Sequence, residues 1–172
     1  MLTYDRLKEV LHYDPETGVF TWLSRPEITY RVGNWNARWA GKVAGCPMIR
    51  GQYWGIGVDS RTHGAHRLAV LYMTGEWPAN DVDHINCDGT DNRWINLRVA
   101  NRSQNCGNSR KARNNTSGFK GVSFDRATGM WKATIGKNRK TQNLGRYSTR
   151  EQAYAVYCRA AALVFGEFAR TA

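Results

Sequence analysis

The chain has 172 residues, a hydrophobic fraction of 41% and a formal net charge of +11 at pH 7. Seven tryptophans and eight tyrosines supply enough apolar surface for one ordinary domain or two small ones, which argues against a disordered chain. No apolar run approaches the roughly 18 residues of a membrane span, and the first residues lack the apolar stretch of a signal peptide. We therefore expect a globular, cytoplasmic protein.

The cysteines are widely spaced and form no Cys-x-x-Cys pair. This spacing argues against a structural zinc knuckle and against a disulfide framework, and it suits a reducing compartment. The four positions are Cys46, Cys87, Cys106 and Cys158.

Positive charge is concentrated in the C-terminal part of the chain. Residues 1–97 contain ten Lys or Arg against eleven Asp or Glu, whereas residues 98–172 contain fifteen against three, a net +12. Such asymmetry predicts a nucleic-acid partner or an anionic membrane surface. The cationic residues form no basic amphipathic helix with a bulky apolar face, which favours nucleic acid. Charge alone leaves open a merely soluble basic domain.

Patterns in the first half of the chain predict a small mixed domain. A helix over residues 3–11 can be capped by its first threonine, and the turn at 14–18 predicts a hairpin that leads into a strand at 19–22. The Gly- and aromatic-rich stretch 41–59 predicts short strands. An apolar helix over 65–74 is expected to stop at the glycine and proline that follow it.

The segment 80–109 combines a carboxylate, an imidazole and two carboxamides. A run with strand character contains Asp83 and His84, and we expect the strand to end there because strict alternation would send neighbouring side chains to opposite faces. A polar loop, Asn96 and a second short strand follow. The helix that carries Asn105 then begins with a capping pair. The predicted order is strand, loop, strand, helix.

These groups suit the hydrolysis of a phosphodiester. Magnesium prefers oxygen ligands, which Asp83 and the Asn105 carboxamide offer. A neutral imidazole at His84 can take a proton from the attacking water. Asn96 is placed to bind the other ring nitrogen of that histidine and so fix its tautomer.

Other polar residues of this region allow two interpretations. His66 could contact DNA or a substrate phosphate, but a histidine that opens an apolar helix more often packs in the core. Asn86, Asp88 and Asp91 could be additional metal ligands. Their spacing lacks the glutamate of a calcium loop, so turn formation is favoured.

The spacing of these residues resembles a known family. His84 follows Asp83 directly, Asn96 lies twelve residues after the histidine, and Asn105 lies nine further on. With the flanking HRLA, GEWP and VDHINCDGTDNRWINLR, this is similar to the HNH (ββα-metal) homing and free-standing endonucleases of bacteriophages. The last position is an asparagine where the family name has a histidine.

The resemblance implies a role for each of these residues. His84 would be the general base and Asn96 would orient it. Asp83 and Asn105 would bind a divalent metal, with Mg²⁺ as the expected ion and Mn²⁺ as its substitute.

The chain becomes regular again after a basic segment. Residues 101–120 contain five basic and no acidic residues, a composition typical of an extended linker attracted to phosphate. Alternating apolar positions predict strands near 122–124 and 131–135, and a third candidate strand spans 140–147. A capping box at 148–151 begins an apolar helix that a glycine can end. The prediction is three antiparallel strands with one helix packed on one face.

This C-terminal pattern resembles the Apetala/ethylene-response-factor DNA-binding domain. The likeness is carried by SGFKGVSF, the Gly-x-Trp at 129–131, the Leu-Gly at 144–145 and the helix EQAYAVYCRAAALVFGEFA. The resemblance implies that the sheet lies in the DNA major groove. The face against the helix is expected to contain Val122, Phe124, Trp131, Ala133, Ile135 and Leu144. The face toward DNA is expected to contain Ser123, Lys132, Thr134, Thr141 and Asn143.

We therefore predict an α+β protein with two domains. An HNH nuclease domain over 1–109, with its core motif at 65–109, would be joined by a basic linker at 110–116 to a DNA-binding domain over 117–172. The expected activity is hydrolysis of double-stranded DNA by a monomeric, site-selective, homing-type nickase without an obligate protein partner, in the cytoplasm of a bacterial host. The cations expected to contact DNA, besides Lys132, are Arg98, Arg102, Arg110, Lys111, Arg113, Lys120 and Arg126.

Two other functional classes stay open. A non-catalytic, sequence-specific DNA-binding protein could keep a nuclease remnant that only helps binding, although the intact Asp83, His84 and Asn105 argue against it. An RNA-binding module is disfavoured because no strand carries the exposed aromatic pairs that stack bases.

Overall fold

The structure is a computed structural model that describes residues 1–26, 29–48, 51–138 and 140–171. The chain divides into two compact units, Met1–Val99 and Ala100–Ala172. Both units combine helices with small antiparallel sheets, so the predicted α+β class is confirmed. None of the described helices is long and apolar enough to cross a membrane.

The first unit contains short helices and three small sheets. Strand β1 pairs with β2, strands β3, β4 and β5 form an antiparallel sheet in that order, and β6 pairs with β7, whose last residue belongs to the second unit. In chain order the elements are α1 (Tyr4–Val10), β1 (Leu11–Asp14), β2 (Val19–Trp22), α2 (Tyr30–Trp39), β3 (Cys46–Met48), β4 (Tyr53–Val58), β5 (Arg61–Gly64), α3 (Ala65–Thr74), β6 (Asp81–His84) and β7 (Leu97–Ala100).

The predicted helix and hairpin at the start of the chain are confirmed. Thr3 caps α1, because its hydroxyl oxygen accepts a hydrogen bond from the Arg6 backbone N–H. In the hairpin, Tyr13 lies opposite Phe20, and their buried rings stack with centroids 4.6 Å apart. The apolar face of α3 packs into the same core, and α3 ends as predicted at Gly75 in the left-handed conformation.

Helix α2 was not predicted from the sequence. Val32, Trp35 and Trp39 follow a helical spacing, but the helix buries none of its residues, and the sequence analysis did not single out this stretch. The helix is instead tied to the preceding segment by the Asn36 carboxamide, which accepts from the Arg25 backbone N–H and donates to the Arg25 carbonyl. The Arg25 guanidinium also lies 3.7 Å from the centroid of the Trp35 ring.

The second unit is a three-stranded sheet with helices. The sheet order is β10–β9–β8, all antiparallel, and the core lies between the sheet and α5, as predicted. The elements are α4 (Arg102–Asn108), β8 (Val122–Asp125), β9 (Met130–Lys137), β10 (Lys140–Tyr147) and α5 (Arg150–Phe165).

Helix α4 packs within this second unit, although the sequence analysis assigned it to the predicted nuclease domain over 1–109. A Cβ atom at Gly107 would lie 2.7 Å from the Phe165 ring, so the close contact of α4 with α5 depends on this glycine. The compact unit therefore begins at Ala100, nine residues before the end of the predicted nuclease domain at 109. The metal-binding role predicted for Asn105 on α4 stays a prediction.

Two local predictions in the second unit differ from the structure. The cap of α5 is Thr149, which accepts from the Gln152 backbone N–H, and Ser148 donates instead to the Gln152 side chain. Phe124 was expected in the core but is 48% exposed. Its ring packs edge-on against Trp131, the residue opposite it in β9, with centroids 5.1 Å apart.

Lys120 holds the C-terminal end of α4. Its ammonium group donates to the carbonyl oxygens of Gly107 at 2.6 Å, Ser109 at 2.7 Å and Cys106 at 3.4 Å. A cation at this end of a helix binds the carbonyls that have no partner inside the helix and complements the helix dipole. Lys120 therefore has a structural role in addition to the DNA contact that was predicted for it.

Replacing Lys120 with methionine is expected to destabilise the second unit by about 1–3 kcal/mol, because the helix carbonyls lose a charged donor. Urea denaturation followed by circular dichroism measures the change. Lys111→Met is the matched control, since Lys111 makes one exposed bond, to the Gly118 carbonyl. Equal stability of the two variants would contradict this structural role.

Candidate active site

Asp83 and His84 lie together at the end of β6, as predicted. Each is only 5% exposed, although they are neighbours in a strand. Both can be buried because the strand stops at His84, and Cys87, in the left-handed conformation, bonds through its N–H to the His84 carbonyl in the turn that follows. The end of β6 thus holds a carboxylate and an imidazole side by side, both buried.

Arg98 of β7 forms an ion pair with Asp83. Its Nε and one terminal nitrogen each lie 2.9 Å from Asp83 Oδ2, and both side chains are largely buried. A buried guanidinium on a carboxylate fixes the direction of the carboxylate and compensates its charge. From the sequence we expected Arg98 to contact DNA. In the structure it also forms this ion pair with Asp83, a predicted metal ligand.

The His84 ring faces a carboxamide of the loop that follows. Its Nε2 lies 3.4 Å from Asn92 Oδ1, and Asn92 Nδ2 donates to the Thr90 carbonyl, which sets the orientation of the amide. An acceptor at this distance favours a proton on Nε2 and leaves Nδ1 as the basic nitrogen. Burial lowers the pKa of His84, and the Asn92 contact opposes this effect. The ring is therefore a neutral base at neutral pH.

Asn96 makes a different contact from the expected one. Its Oδ1 accepts from the Asn86 backbone N–H at 3.0 Å, and its Nδ2 donates to Asn86 Oδ1 and to the Asp91 carbonyl at 2.7 Å. These bonds close the loop at 86–91 rather than reaching the His84 ring, which Asn92 contacts instead. The sequence analysis missed Asn92 because no local pattern distinguishes it from the other asparagines of this polar segment.

The other loop carboxylates behave as turn formers. Asp88 Oδ1 accepts from the Thr90 backbone N–H and hydroxyl, and Asp91 binds the Arg93 guanidinium and the Asn86 amide. The Arg93 guanidinium lowers the pKa of Asp91 to about 2. Their oxygens are engaged within the loop, in keeping with the favoured interpretation of turns over metal ligands.

The N-terminal hairpin supports this loop, a role that the sequence did not reveal. The Tyr13 hydroxyl donates to the Asn92 carbonyl at 2.7 Å, and the Trp94 N–H donates to the Pro15 carbonyl at 2.9 Å. Gly18 lies so close that a Cβ atom there would be 2.4 Å from the Arg93 backbone nitrogen. The hairpin turn signal at 14–18 was visible in the sequence, but its contact with the site was not.

A second histidine packs against the first. The His66 ring lies edge-on to the His84 ring with centroids 5.2 Å apart, and Tyr53 contacts both rings. Burial, followed by the proximity of His84, lowers the pKa of His66 to about 4. This histidine is therefore neutral at physiological pH.

Acid is expected to destabilise the fold partly through His66. The unfolded chain holds a histidine pKa near 6.5, so between about pH 6.5 and pH 4 the unfolded state binds a proton that the folded state does not. Stability is then lost as the pH falls through this window, by roughly 3 kcal/mol at most. Urea denaturation at pH 7 and pH 4.5 should show a smaller loss for His66→Phe than for wild type. The same loss in both proteins would be evidence against a buried, neutral His66.

Among the described residues, no group of three or more His, Cys, Asp and Glu side chains could hold a metal ion. Such a group is not required for Mg²⁺, which one or two carboxylates can hold with water and phosphate oxygens as the other ligands. The Asp83 carboxylate is a suitable donor. Asn105 lies on α4, half-buried within the second unit.

The sheet of the second unit presents a polar face opposite α5. Ser123 lies opposite Lys132, and Thr134 opposite Asn143, so four of the five residues predicted to face DNA are cross-strand neighbours. Thr141 lies opposite Gly136 on the same face.

Arg146 joins this face and was missed by the sequence analysis. Simple alternation from Asn143 would turn Arg146 toward the helix. A bulge between Asn143 and Gly145 shifts the register, so that Arg146 lies opposite Lys132. Its guanidinium binds Asp125 at 2.8 Å. The remaining predicted cations Arg102, Arg110, Lys111, Arg113 and Arg126 are all exposed.

Comparison with known proteins places these residues in a family. Residues 63–106 match the model of the HNH endonuclease domain. Protein 3.8 of Escherichia phage T7 is 32% identical over 89 residues, which cover 52% of this chain and 73% of that protein. The chain belongs to the family of this phage protein. The HNH match of this chain, residues 63–106, includes Asp83, His84, Asn96 and Asn105, together with His66.

A second relative carries the domain name itself. A protein of Acanthamoeba polyphaga mimivirus, named as an uncharacterized HNH endonuclease, is 34% identical over 106 residues. The match covers 60% of this chain, which spans 54% of the length of the mimivirus protein. No solved structure is significantly similar to the chain. The Apetala-like interpretation of the region beyond the HNH domain stays a prediction.

Proposed function

We propose that this protein is a metal-dependent DNA endonuclease, most specifically a site-selective nickase of the homing type. The observation that carries the proposal is the buried Asp83–His84 pair at the end of β6, inside a segment that matches the HNH endonuclease domain. Burial of an ionisable pair is costly unless the pair is compensated, and Arg98 and Asn92 compensate it here. Such pairs with matched partners are typical of catalytic sites.

His84 acts as the general base in this proposal. With Nε2 held against Asn92, the Nδ1 lone pair accepts a proton from the water that attacks phosphorus. The nearby Asp83 carboxylate then stabilises the protonated ring, because it favours the charged form of His84. Asn96 contributes by closing the loop at 86–91, directly before Asn92, so it acts as a positioning residue.

Asp83 and Asn105 are the proposed metal ligands. Both offer the hard oxygen atoms that Mg²⁺ or Mn²⁺ accepts. When bound, the metal would supply charge stabilisation for the phosphorane-like transition state and the leaving oxygen. Arg98 keeps the Asp83 carboxylate oriented through its ion pair on Oδ2. The assignment of Asn105 is supported by its spacing from His84 and its position within the HNH match.

The second unit would bind DNA through the polar face of its sheet. Lys132 and Arg146 lie next to each other on that face, and residues 98–172 carry fifteen basic against three acidic residues. The cations would bind phosphates and release counterions, so affinity should fall with salt. If about six phosphates are neutralised, log K should fall against log salt with a slope near −5.

Replacing both Lys132 and Arg146 with glutamine should flatten that salt slope by about 2, because each lost phosphate contact removes roughly 0.9. Fluorescence anisotropy with labelled duplex DNA at several salt concentrations measures the slope. Arg159→Gln, on the exposed side of α5, is the control and should reduce the slope less. Equal slopes for the double variant and wild type would show that this face does not bind DNA.

The proposed monomeric nickase is tested by mapping the cut ends. One metal site serves one phosphodiester, and the sequence shows no dimerising heptad. Duplex DNA labelled separately on each strand should be cut on one strand by a protein that sediments as a monomer. Paired cuts by a monomer would remove the nickase claim and leave the nuclease claim intact. The rival, a non-catalytic DNA-binding protein, predicts binding without cuts.

A further inference from the structure

Two aromatic rings, His66 and Tyr53, lie against the ring of the proposed base, and neither has a role in the mechanism above. His66 lies in the first turn of α3 and meets the His84 ring at an interplanar angle of 67°. Tyr53 of β4 lies 5.6 Å from the His66 centroid and 6.1 Å from the His84 centroid. The cluster lies within the first unit, and His66 is inside the HNH match.

The backbone is shaped to hold His66 in this orientation. A Cβ atom at Gly64 would lie 2.7 Å from His66 Cε1, which is closer than Cβ atoms approach other atoms in proteins. The ring is therefore bounded by the Gly64 backbone on one side and by Tyr53 and His84 on others. A side chain fixed from several directions is suited to present one atom at a constant position.

One nitrogen of His66 is buried without a partner. Nδ1 is inaccessible and has no hydrogen bond among the described residues. A buried N–H without an acceptor is costlier than a bare ring nitrogen, so the neutral ring carries its proton on Nε2. Packing alone would be served better by a phenyl ring, which has no polar atom to bury. The choice of an imidazole therefore indicates a use for the Nε2–H group.

We propose that His66 is an uncharged hydrogen-bond donor that binds a non-bridging oxygen of the scissile phosphodiester through Nε2–H, beside His84. This inference rests on the proposed nuclease function. The low pKa of His66 keeps the donor neutral across the physiological range. A neutral donor binds the phosphate without adding a positive charge next to the imidazole that must accept a proton.

Three substitutions separate hydrogen bonding from packing. Glutamine places an amide N–H near the position of the histidine Nε2, whereas phenylalanine keeps only the ring shape, and alanine removes both. In single-turnover cleavage at saturating DNA with Mg²⁺, His66→Phe should be slower than wild type by about 10–100-fold, the effect of one hydrogen bond to a charged group. His66→Gln should keep most of the rate, and His66→Ala should be at least as slow as His66→Phe.

Two results would overturn the donor role. The first is wild-type cleavage by His66→Phe. The second is a loss in His66→Gln as deep as in His66→Phe, with both variants melting at the wild-type temperature. ¹⁵N NMR of the full chain gives a readout independent of activity, because the Nε2–H tautomer of His66 should be observed and the Nδ1–H tautomer would contradict the inference.

The same NMR sample separates this inference from the proposed function. Addition of duplex DNA without metal should shift the His66 Nε2 resonance in wild type. A wild-type protein that cuts no DNA would refute the nuclease proposal, whereas an unshifted His66 in a protein that does cut DNA would refute only the role of His66.

Discussion

Replacing His84 with alanine is expected to reduce DNA cleavage by roughly 10²–10⁴-fold, the usual contribution of a general base. Affinity for DNA should change little, since the cations that bind phosphate are concentrated beyond residue 97. The physical reason is the loss of the only group proposed to accept the proton of the attacking water. Initial rates of plasmid nicking, together with anisotropy measurements of binding, separate the two effects.

A matched control for this substitution is His12→Ala. His12 is exposed on β1, outside the site, so its removal should leave the rate unchanged. Because His84 is buried, the melting temperature of His84→Ala must be compared with that of wild type before the rate is interpreted. Full cleavage by a folded His84→Ala protein would refute the assignment of the base.

Replacing Asp83 with asparagine is expected to raise the Mg²⁺ concentration required for cleavage and to lower the saturated rate by roughly 10²-fold or more. The estimate follows from the several kcal/mol of charge stabilisation that a catalytic metal supplies. Asparagine is preferable to alanine because its carboxamide oxygen can still accept from Arg98, whose guanidinium would otherwise lose its partner. Rates measured over a titration of Mg²⁺ and of Mn²⁺ give both quantities.

Asn105→Ala should shift the metal requirement in the same direction as Asp83→Asn. Cys46→Ser and Cys106→Ser serve as controls and should leave the requirement unchanged. Bound zinc together with loss of activity in the cysteine variants would show that the proposed ligand set is wrong.

Elements with strong local signals were predictable from the sequence. The cap at Thr3, the hairpin turn at 14–18 and the apolar face of α3 each have a local cause, and each appears where it was expected. The Asp83–His84 pair could be placed at a strand end for the same reason, because neighbouring residues determine where a strand stops and a turn begins.

Contacts between distant segments were not predictable in this way. Nε2 of His84 contacts Asn92, and Asn96 bonds to the loop at 86–91 instead, which depends on how this loop folds back on itself. The support of that loop by Tyr13 joins residues 79 positions apart, which no local pattern reveals. The position of Arg146 depends on a bulge that shifts the register of β10.

The relaxation of supercoiled plasmid DNA tests the central claim most directly. Wild-type protein should convert supercoiled DNA to the nicked circle in Mg²⁺ or Mn²⁺ and not in EDTA, and His84→Ala should fail to do so at the same protein concentration. The contradicting result is a wild-type protein that binds the plasmid with salt-dependent affinity and leaves it supercoiled in either metal. That outcome would identify a DNA-binding protein without nuclease activity.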